Sequence, residues 1–323
     1  MTKYLISGYI GFDNFGDEAI LKVLVSNLKK KGAKKITAIS SNPEKTAELY
    51  DINSVGMFDF LKAVNDADIL ISGGGSLLQD ITSLKSLLYY LSIIIYAIVL
   101  NKKVIIFAQG FTPFRTKIGK FFTQFALKKC SKIYVRDIKS QEMLNGMDIS
   151  SELIADPVYG IDKIPLQEEN TVGVQLRKYP TITEDFLENL ADKIQEKFSD
   201  KKFKLLSLQD TQDLEILETF AEKLKKRGLE SIIYKNLSVN DVIEKISELE
   251  YLIGMRFHSL LVGAKNDVKL LGINYDIKVE NLAKTVNFPI IDLSQKDIDK
   301  EFEDLINLQC ANYQIPSFIF PEI

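Results

Sequence analysis

Glu250-Tyr251-Leu252-Ile253-Gly254-Met255-Arg256-Phe257-His258-Ser259-Leu260-Leu261-Val262-Gly263-Ala264 reads as an apolar strand that breaks at a glycine and resumes as an apolar helix. A strand, a short turn and a helix make half of a parallel-sheet unit. In open sheets of that kind the turn after the strand faces the ligand crevice. Two functional side chains, Arg256 and His258, stand in this turn. His258 is the only histidine in the 323 residues, and imidazole is the side chain that titrates close to neutral pH. A lone histidine can equally cap a helix or fill a core. The adjacent arginine and the strand-end position weigh toward chemistry.

The same alternation runs outward in both directions. Strand-like runs at Tyr4–Ser7, Lys35–Ile39, Ile69–Ser72, Val104–Ala108 and Lys132–Val135 are separated by helix-like segments. The best-marked helix is Asp17–Lys31, with acids at its start, lysines at its end and Gly32 stopping it. After a stretch rich in proline and charge, Pro157 to Asn170, a second set begins at Thr171–Gln175. It continues at Phe203–Ser207, Ser231–Tyr234, Tyr251–Ile253 and Lys269–Ile273. The length suits two domains of about 150 residues. The expected fold class is therefore α/β: two doubly wound Rossmann-like domains, residues 1–160 and 161–323, facing across a cleft that is the default site. The glycine spacing is not that of a dinucleotide fingerprint.

Composition narrows the function. Apolar residues make up 46 % and charged residues 26 %, and the net charge is −3 with a pI near 5.5. No global basic field exists to attract nucleic acid. Cys130 and Cys310 have no metal or redox spacing, and the N-terminus enters a strand without a signal-peptide pattern. Both point to a cytoplasmic protein. Leu87–Leu100 is apolar except at Ser92, but its 14 residues fall short of the roughly 20 that span a bilayer. It is expected as a buried helix, which leaves peripheral contact with the inner face of a membrane open.

Four glycine-rich or polar turns should converge on one wall, because all follow strands. The first contains Gly11, Asp13, Asn14, Gly16 and Asp17; the second contains Gly74, Gly75, Gln79 and Asp80; Gln109-Gly110 and Arg136-Asp137 are the others. Glycines there let backbone N–H groups or a ligand approach closely. Asp17 can cap its helix or take a proton from a hydroxyl. In the second half, Arg177 ends one strand, Gln209–Asp213 follows another, and Lys278 follows Lys269–Ile273. If neighbouring strands pair, Lys278 emerges beside His258, unless it is a solvated loop residue. Arginines and a lysine around one imidazole suit a small polyanion.

In this order, the segments GYIGFDNFGDEA (8–19), SGGGSLLQD (72–80), AQG (108–110), VRD (135–137), ADP (155–157), GMRFHSL (254–260) and YDIKV (275–279) resemble the polysaccharide pyruvyl transferase family. Phe111-Thr112-Pro113 departs from the Gly-Ile-Gly-Pro more usual there. The resemblance implies a glycosyltransferase-B-like fold and phosphoenolpyruvate as donor, used as co-substrate with no cofactor and no metal. The product would be a ketal on a sugar acceptor, which would be carried on a polysaccharide or its lipid-linked precursor. It implies donor binding by Arg256, Lys278 and Arg177 in the second half. The acceptor side would be the first half, through Gly11, Asp13, Asn14, Gly16, Gly74, Gly75, Gln79, Asp80, Gln109 and Arg136.

The chemistry matches these residues. His258 can protonate the donor methylene carbon, Arg256 can stabilise departing phosphate, and Asp17, or secondarily Asp13, can serve as base. Two rivals share the architecture. A nucleotide-sugar glycosyltransferase would want an acid gripping a ribose, and Glu280 is available. A non-catalytic sugar-binding module would ordinarily be exported.

Overall fold

Parallel strands need long crossovers, and nearly every apolar run of this chain is followed by a helix able to supply one. The computed structural model describes residues 1–81, 83–165 and 170–323. They divide into two compact units, Met1–Ile161 with Ser317–Ile323, and Asp162–Pro316. Four residues of the expected linker, 166–169, lie outside the described residues.

The first unit runs β1 (Lys3–Ser7), α1 (Phe15–Lys30), β2 (Lys35–Ser40), α2 (Pro43–Tyr50), β3 (Asn53–Gly56), α3 (Phe60–Asp66), β4 (Ile69–Gly73), α4 (Leu84–Val99), β5 (Lys103–Gln109), α5 (Lys117–Leu127), β6 (Lys132–Val135), α6 (Ile138–Asn145) and β7 (Glu152–Leu153). Its seven strands are ordered β3-β2-β1-β4-β5-β6-β7, and every pairing is parallel. The order reverses between β1 and β4. That switch point is where the first two glycine turns emerge.

The second unit runs β8 (Thr171–Gln175), α7 (Glu184–Phe198), β9 (Lys202–Leu206), α8 (Asp210–Lys226), β10 (Ser231–Tyr234), α9 (Val239–Ser247), β11 (Tyr251–Gly254), α10 (Phe257–Lys265), β12 (Lys269–Asn274), α11 (Ile277–Val286), β13 (Ile290–Asp292) and α12 (Asp299–Ile306). Its order is β10-β9-β8-β11-β12-β13, again all parallel. Here the switch lies between β8 and β11, the strands that carry Arg177 and Arg256.

Burial on both faces explains why the central strands are legible as apolar runs. All of β8 and β11 is buried, and Val172, Leu205, Ile253 and Leu271 pack with Leu190, Leu217, Phe220 and Phe302 from the helices. In the first unit Leu5, Leu70, Ile106 and Val135 meet Leu91 and Ile94 of α4. The apolar pattern of α4 corresponds to burial of Leu87, Tyr90, Leu91, Ile93, Ile94 and Ala97. Between residues 87 and 100 only Leu88, Ser92 and Val99 are exposed, and they share one stripe. Three strands had no counterpart in the sequence reading: β3, β7 and β13. All three are short and lie at sheet edges, where little burial writes itself into the sequence. Helix α1 begins earlier than expected because the Asn14 side chain caps it, accepting from the Gly16 N–H at 3.2 Å.

The division of the chain also differs from the expected 1–160 and 161–323. Pro157–Gly160 is a turn of the first unit with Pro157, Val158 and Tyr159 buried, and Ser317–Ile323 pack back onto that unit. Phe318 covers Gly160, where even a Cβ would come within 2.6 Å of the ring. Phe320 packs against the fully buried Phe107 at 5.8 Å between ring centroids, with the Lys31 ammonium 4.8 Å from its centroid. The Tyr134 hydroxyl donates to the Glu322 carbonyl at 2.7 Å. Both tail rings are half-buried, so replacing Phe318 and Phe320 together by alanine should cost about 2–4 kcal/mol. Urea unfolding measures this, and an unchanged midpoint would mean that the tail merely rests on the surface.

Candidate functional site

The switch point of the second unit is laced by one glutamine. Gln175, at the end of β8, accepts from the Met255 N–H on its carbonyl at 3.0 Å and from the Arg256 N–H on its side chain at 2.7 Å. The Arg177 N–H reaches the Met255 sulfur at 3.3 Å. These bonds fix the turn between β11 and α10.

Arg256 does not present its fork to solvent. It is 7 % exposed. Its Nε donates to both Asp213 oxygens at 3.1 and 2.9 Å, and its Nη2 donates to Asp213 Oδ1 at 2.6 Å and to Gln209 Oε1 at 3.3 Å. Asp213, in the first turn of α8, is fully buried. It also accepts from the N–H groups of Leu208 and Gln209 and from the Gln175 amide. The donor-binding role that the resemblance implies for Arg256 is thereby narrowed: its Nε–Nη2 edge is committed to a carboxylate 43 residues upstream, and Nη1 is the nitrogen left over.

The other cations gather around a residue the sequence reading quoted but gave no role. Tyr275, just beyond β12, has the Arg177 guanidinium 5.5 Å and the Lys278 ammonium 5.7 Å from its ring centroid. Tyr179 packs edge-on against it at 5.0 Å. Such cation–π contacts hold like charges side by side without a carboxylate between them. The Asp276 carboxylate is 3.8 Å from the Lys278 ammonium and caps α11 by accepting from the Lys278 N–H at 3.0 Å. Arg177 Nε is buried with no hydrogen-bond partner among the described residues, which marks a donor awaiting an acceptor. His258 is the second residue of α10, half-buried, its ring edge-on to Phe257 at 5.0 Å. Arg177, His258 and Lys278 therefore follow three adjacent strands, β8, β11 and β12. Glu280 is ion-paired with Lys284 on α11.

In the first unit the turns converge as expected, but several of their side chains face inward. Gly74 and Gly75 adopt φ of 78° and 71°, a conformation side chains resist. Asp17 Oδ1 lies 2.6 Å from where a Gly75 Cβ would stand. The Gly110 N–H donates to the Gly75 carbonyl at 2.8 Å, and Arg136 lies against Gly110 while donating to Asp156 at 3.0 Å. Asp17, Gly75, Gly110 and Arg136 thus form one edge. Ala108 is held at φ 50° beside a bulge in β5, a strained arrangement that re-aims Gln109.

Two of the expected acceptor contacts, Gln109 and Asp80, need a different reading. Gln109 is fully buried, its amide donating to the Gly110 carbonyl at 3.3 Å; it shapes the rim. Asp80 is 6 % exposed and accepts from the N–H groups of Arg115 and Thr116 and from the Thr116 hydroxyl. Burial opposes its charge, yet these bonds outweigh burial and hold its pKa below the ordinary value. Gln79 accepts from the Ile81 N–H. Asp13 is exposed and ion-paired to Lys45 at 2.6 Å.

Glu18, one of the two acids at the start of α1, is a buried carboxylate beside this edge. It accepts from the Gly11 N–H at 2.7 Å and from the Tyr50 hydroxyl at 2.6 Å. Burial raises its pKa despite both bonds. No group of three or more metal-ligating side chains occurs among the described residues, and no described helix is long and apolar enough to cross a membrane.

Two outcomes follow from these arrangements. Asp213→Ala should destabilise the protein by about 3–5 kcal/mol, because it strands a buried guanidinium; chemical denaturation that finds less than about 1 kcal/mol would refute the lock. For Glu18, a raised native pKa means that its favourable contribution is present below the unfolded value and is lost as pH rises through the native value. Glu18→Gln should therefore gain on the wild type as pH rises through that range. Melting curves from acid to neutral pH that stay parallel would refute this.

Against this geometry, a model of the polysaccharide pyruvyl transferase family matches residues 14–277. A search of curated proteins gives no significant match. Among solved structures the chain is similar to UDP-GlcNAc 2-epimerase from Methanocaldococcus jannaschii, at 11 % identity and TM-score 0.68, covering 98 % of this chain and 95 % of that one. It is similar to a glycosyltransferase from Rickettsia africae ESF-5, at 13 % identity and TM-score 0.62, covering 97 % and 91 %. It is also similar to UDP-GlcNAc 2-epimerase from Neisseria meningitidis, at 9 % identity and TM-score 0.65, covering 94 % and 91 %. At these identities the likeness establishes the two-domain fold alone.

Proposed function

This chain belongs to the polysaccharide pyruvyl transferase family, and from that premise we propose that it moves the pyruvyl group of phosphoenolpyruvate onto a sugar acceptor as a ketal. The observation that carries the reading is the set at the carboxyl ends of β8, β11 and β12: Arg177 and Lys278 on Tyr275, with the single histidine on the strand between. Phosphoenolpyruvate brings a carboxylate and a phosphate, which suit two separate cations and exposed helix N–H groups. Donor binding falls to Lys278 and Arg177, with Arg256 contributing Nη1 and, through Asp213, a fixed turn.

The reaction balances with these groups. His258 gives a proton to the methylene carbon, which becomes the methyl, and the adjacent carbon becomes oxocarbenium-like. Two acceptor hydroxyls add to that carbon and phosphate leaves. One hydroxyl proton restores the imidazolium; the other passes through the base to phosphate, with which it departs. Asp17, on the glycine-lined edge of the first unit, is the proposed base. Asp13 is the weaker choice, since Lys45 already neutralises it. The acceptor, by the same reading, is a polysaccharide or its lipid-linked precursor.

Phosphate release from phosphoenolpyruvate, dependent on a sugar acceptor, tests the activity; turnover with a nucleotide sugar in its place would favour the glycosyltransferase reading. Within that assay His258→Gln should lower kcat by about 10²–10⁴ with donor KM within a few-fold. Lys278→Ala should instead raise donor KM by about tenfold or more. Near-wild-type turnover in a folded His258→Gln protein would place the proton donor elsewhere.

A further inference from the structure

A helix that packs one apolar face inward ordinarily presents a polar face to water. Helix α5 does not. Its inner face is Gly119, Thr123, Ala126 and Leu127. Its outer face carries Ile118, Phe121, Phe122 and Phe125, which are 58, 63, 41 and 46 % exposed. Their spacing of three, four and seven residues makes one continuous stripe. Contiguous exposed apolar surface of this kind marks an interaction site.

The charge beside the stripe says what kind of surface it meets. The chain as a whole is acidic, with net charge −3. Between Gly110 and Arg136 it has six basic residues and no acidic one. Lys117, Lys120 and Lys128 are exposed and form no ion pair among the described residues. By helical geometry Lys117 and Lys128 border one side of the aromatic stripe, and Lys120 lies further round toward the inner face. Lys129 lies 5.5 Å from the Phe125 centroid, at the end of the same helix. A cavity of about 350 Å³ opens at the start of α5, lined by Arg115, Lys117 and Lys120 together with Phe114, Met143 and Met147. Aromatic side chains between lysines fit the headgroup–acyl boundary of a bilayer, where rings enter the apolar layer and ammonium groups stay at the phosphates.

We propose that the outer face of α5 docks this protein on an anionic lipid bilayer, with Ile118, Phe121, Phe122 and Phe125 inserted and Lys117, Lys128 and Lys129 against lipid phosphates. The element that meets the membrane is therefore α5, and α4, the apolar segment conspicuous in the sequence, is the core helix behind it. The proposal stands apart from the reaction assigned above, since it rests on a different face and needs no substrate.

The test is vesicle co-sedimentation of the full chain. One set of vesicles is phosphatidylcholine alone and the other is equal parts phosphatidylcholine and phosphatidylglycerol. The wild type should bind the anionic vesicles, bind the neutral ones at least tenfold more weakly, and release at high salt. Lys117→Gln with Lys128→Gln should weaken binding by roughly five-fold per lysine. Phe121→Ser with Phe125→Ser should weaken it by tenfold or more, even on anionic vesicles. Circular dichroism and an unchanged melting midpoint establish that these exposed changes leave the fold intact. Three results would overturn the proposal. They are failure of the wild type to bind, binding indifferent to both pairs of substitutions, and a dimer in solution that the phenylalanine changes dissociate while vesicles are ignored. The last would make α5 a contact between copies of the chain.

Discussion

A guanidinium withdrawn from water at a strand end persists only if a carboxylate and further acceptors meet it there. In the second unit Asp213 meets Arg256, and almost everything at the switch point is arranged around that meeting. Asp213 is held in turn by two backbone N–H groups and by Gln175, and Gln175 holds the backbone of Met255 and Arg256. The circuit ties β8, α8 and the turn after β11 into one piece. The first unit uses the same device on a smaller scale, with Arg136 and Asp156 bonded at 3.0 Å and both nearly buried. In each unit an ion pair gives a glycine-containing turn a fixed shape, the preorganisation that a site for a small charged ligand requires.

Much of this was legible in the sequence, for a physical reason. Central strands of a parallel sheet are buried on both faces, so they read as apolar runs, and the helices between them read by their caps and end charges. The edge strands β3, β7 and β13 lack that burial and left no clear trace. The site was legible as an order of turns but not as a set of roles. Arg256 looked free because its partner lies far upstream on another helix. Asp80 and Gln109 looked like ligands because polar residues near glycines usually face solvent; here they face inward and satisfy backbone groups. Tyr275 gained a role only when the parallel pairing of β11 with β12 set it beside cations from both sides of the sequence.

The structural neighbours show how little the architecture alone decides. Epimerases and a glycosyltransferase that handle other chemistry share the fold at 9–13 % identity, as expected of a scaffold on which sites are grafted. What this chain places on the scaffold is side-chain content at three strand ends: cations on an aromatic ring, one imidazole, and an arginine whose charge is already balanced. Balance matters for chemistry as well as for stability. An arginine neutralised by its own protein adds little net pull on an anion, so an anion leaves such a site more readily than one with every cation unpaired.

The return of Ser317–Ile323 to the first unit bears on how the molecule is made. During synthesis the first unit emerges early, yet the rings that cover Gly160 and Phe107 follow only after the entire second unit has been translated. Until then a patch of its surface stays apolar and uncovered, a point at which the nascent chain is open to chaperones and to mispairing. After a cut following Ile161 no covalent link to Met1–Ile161 would remain, and the packing of Phe318 and Phe320 on that unit is what would hold the two pieces together.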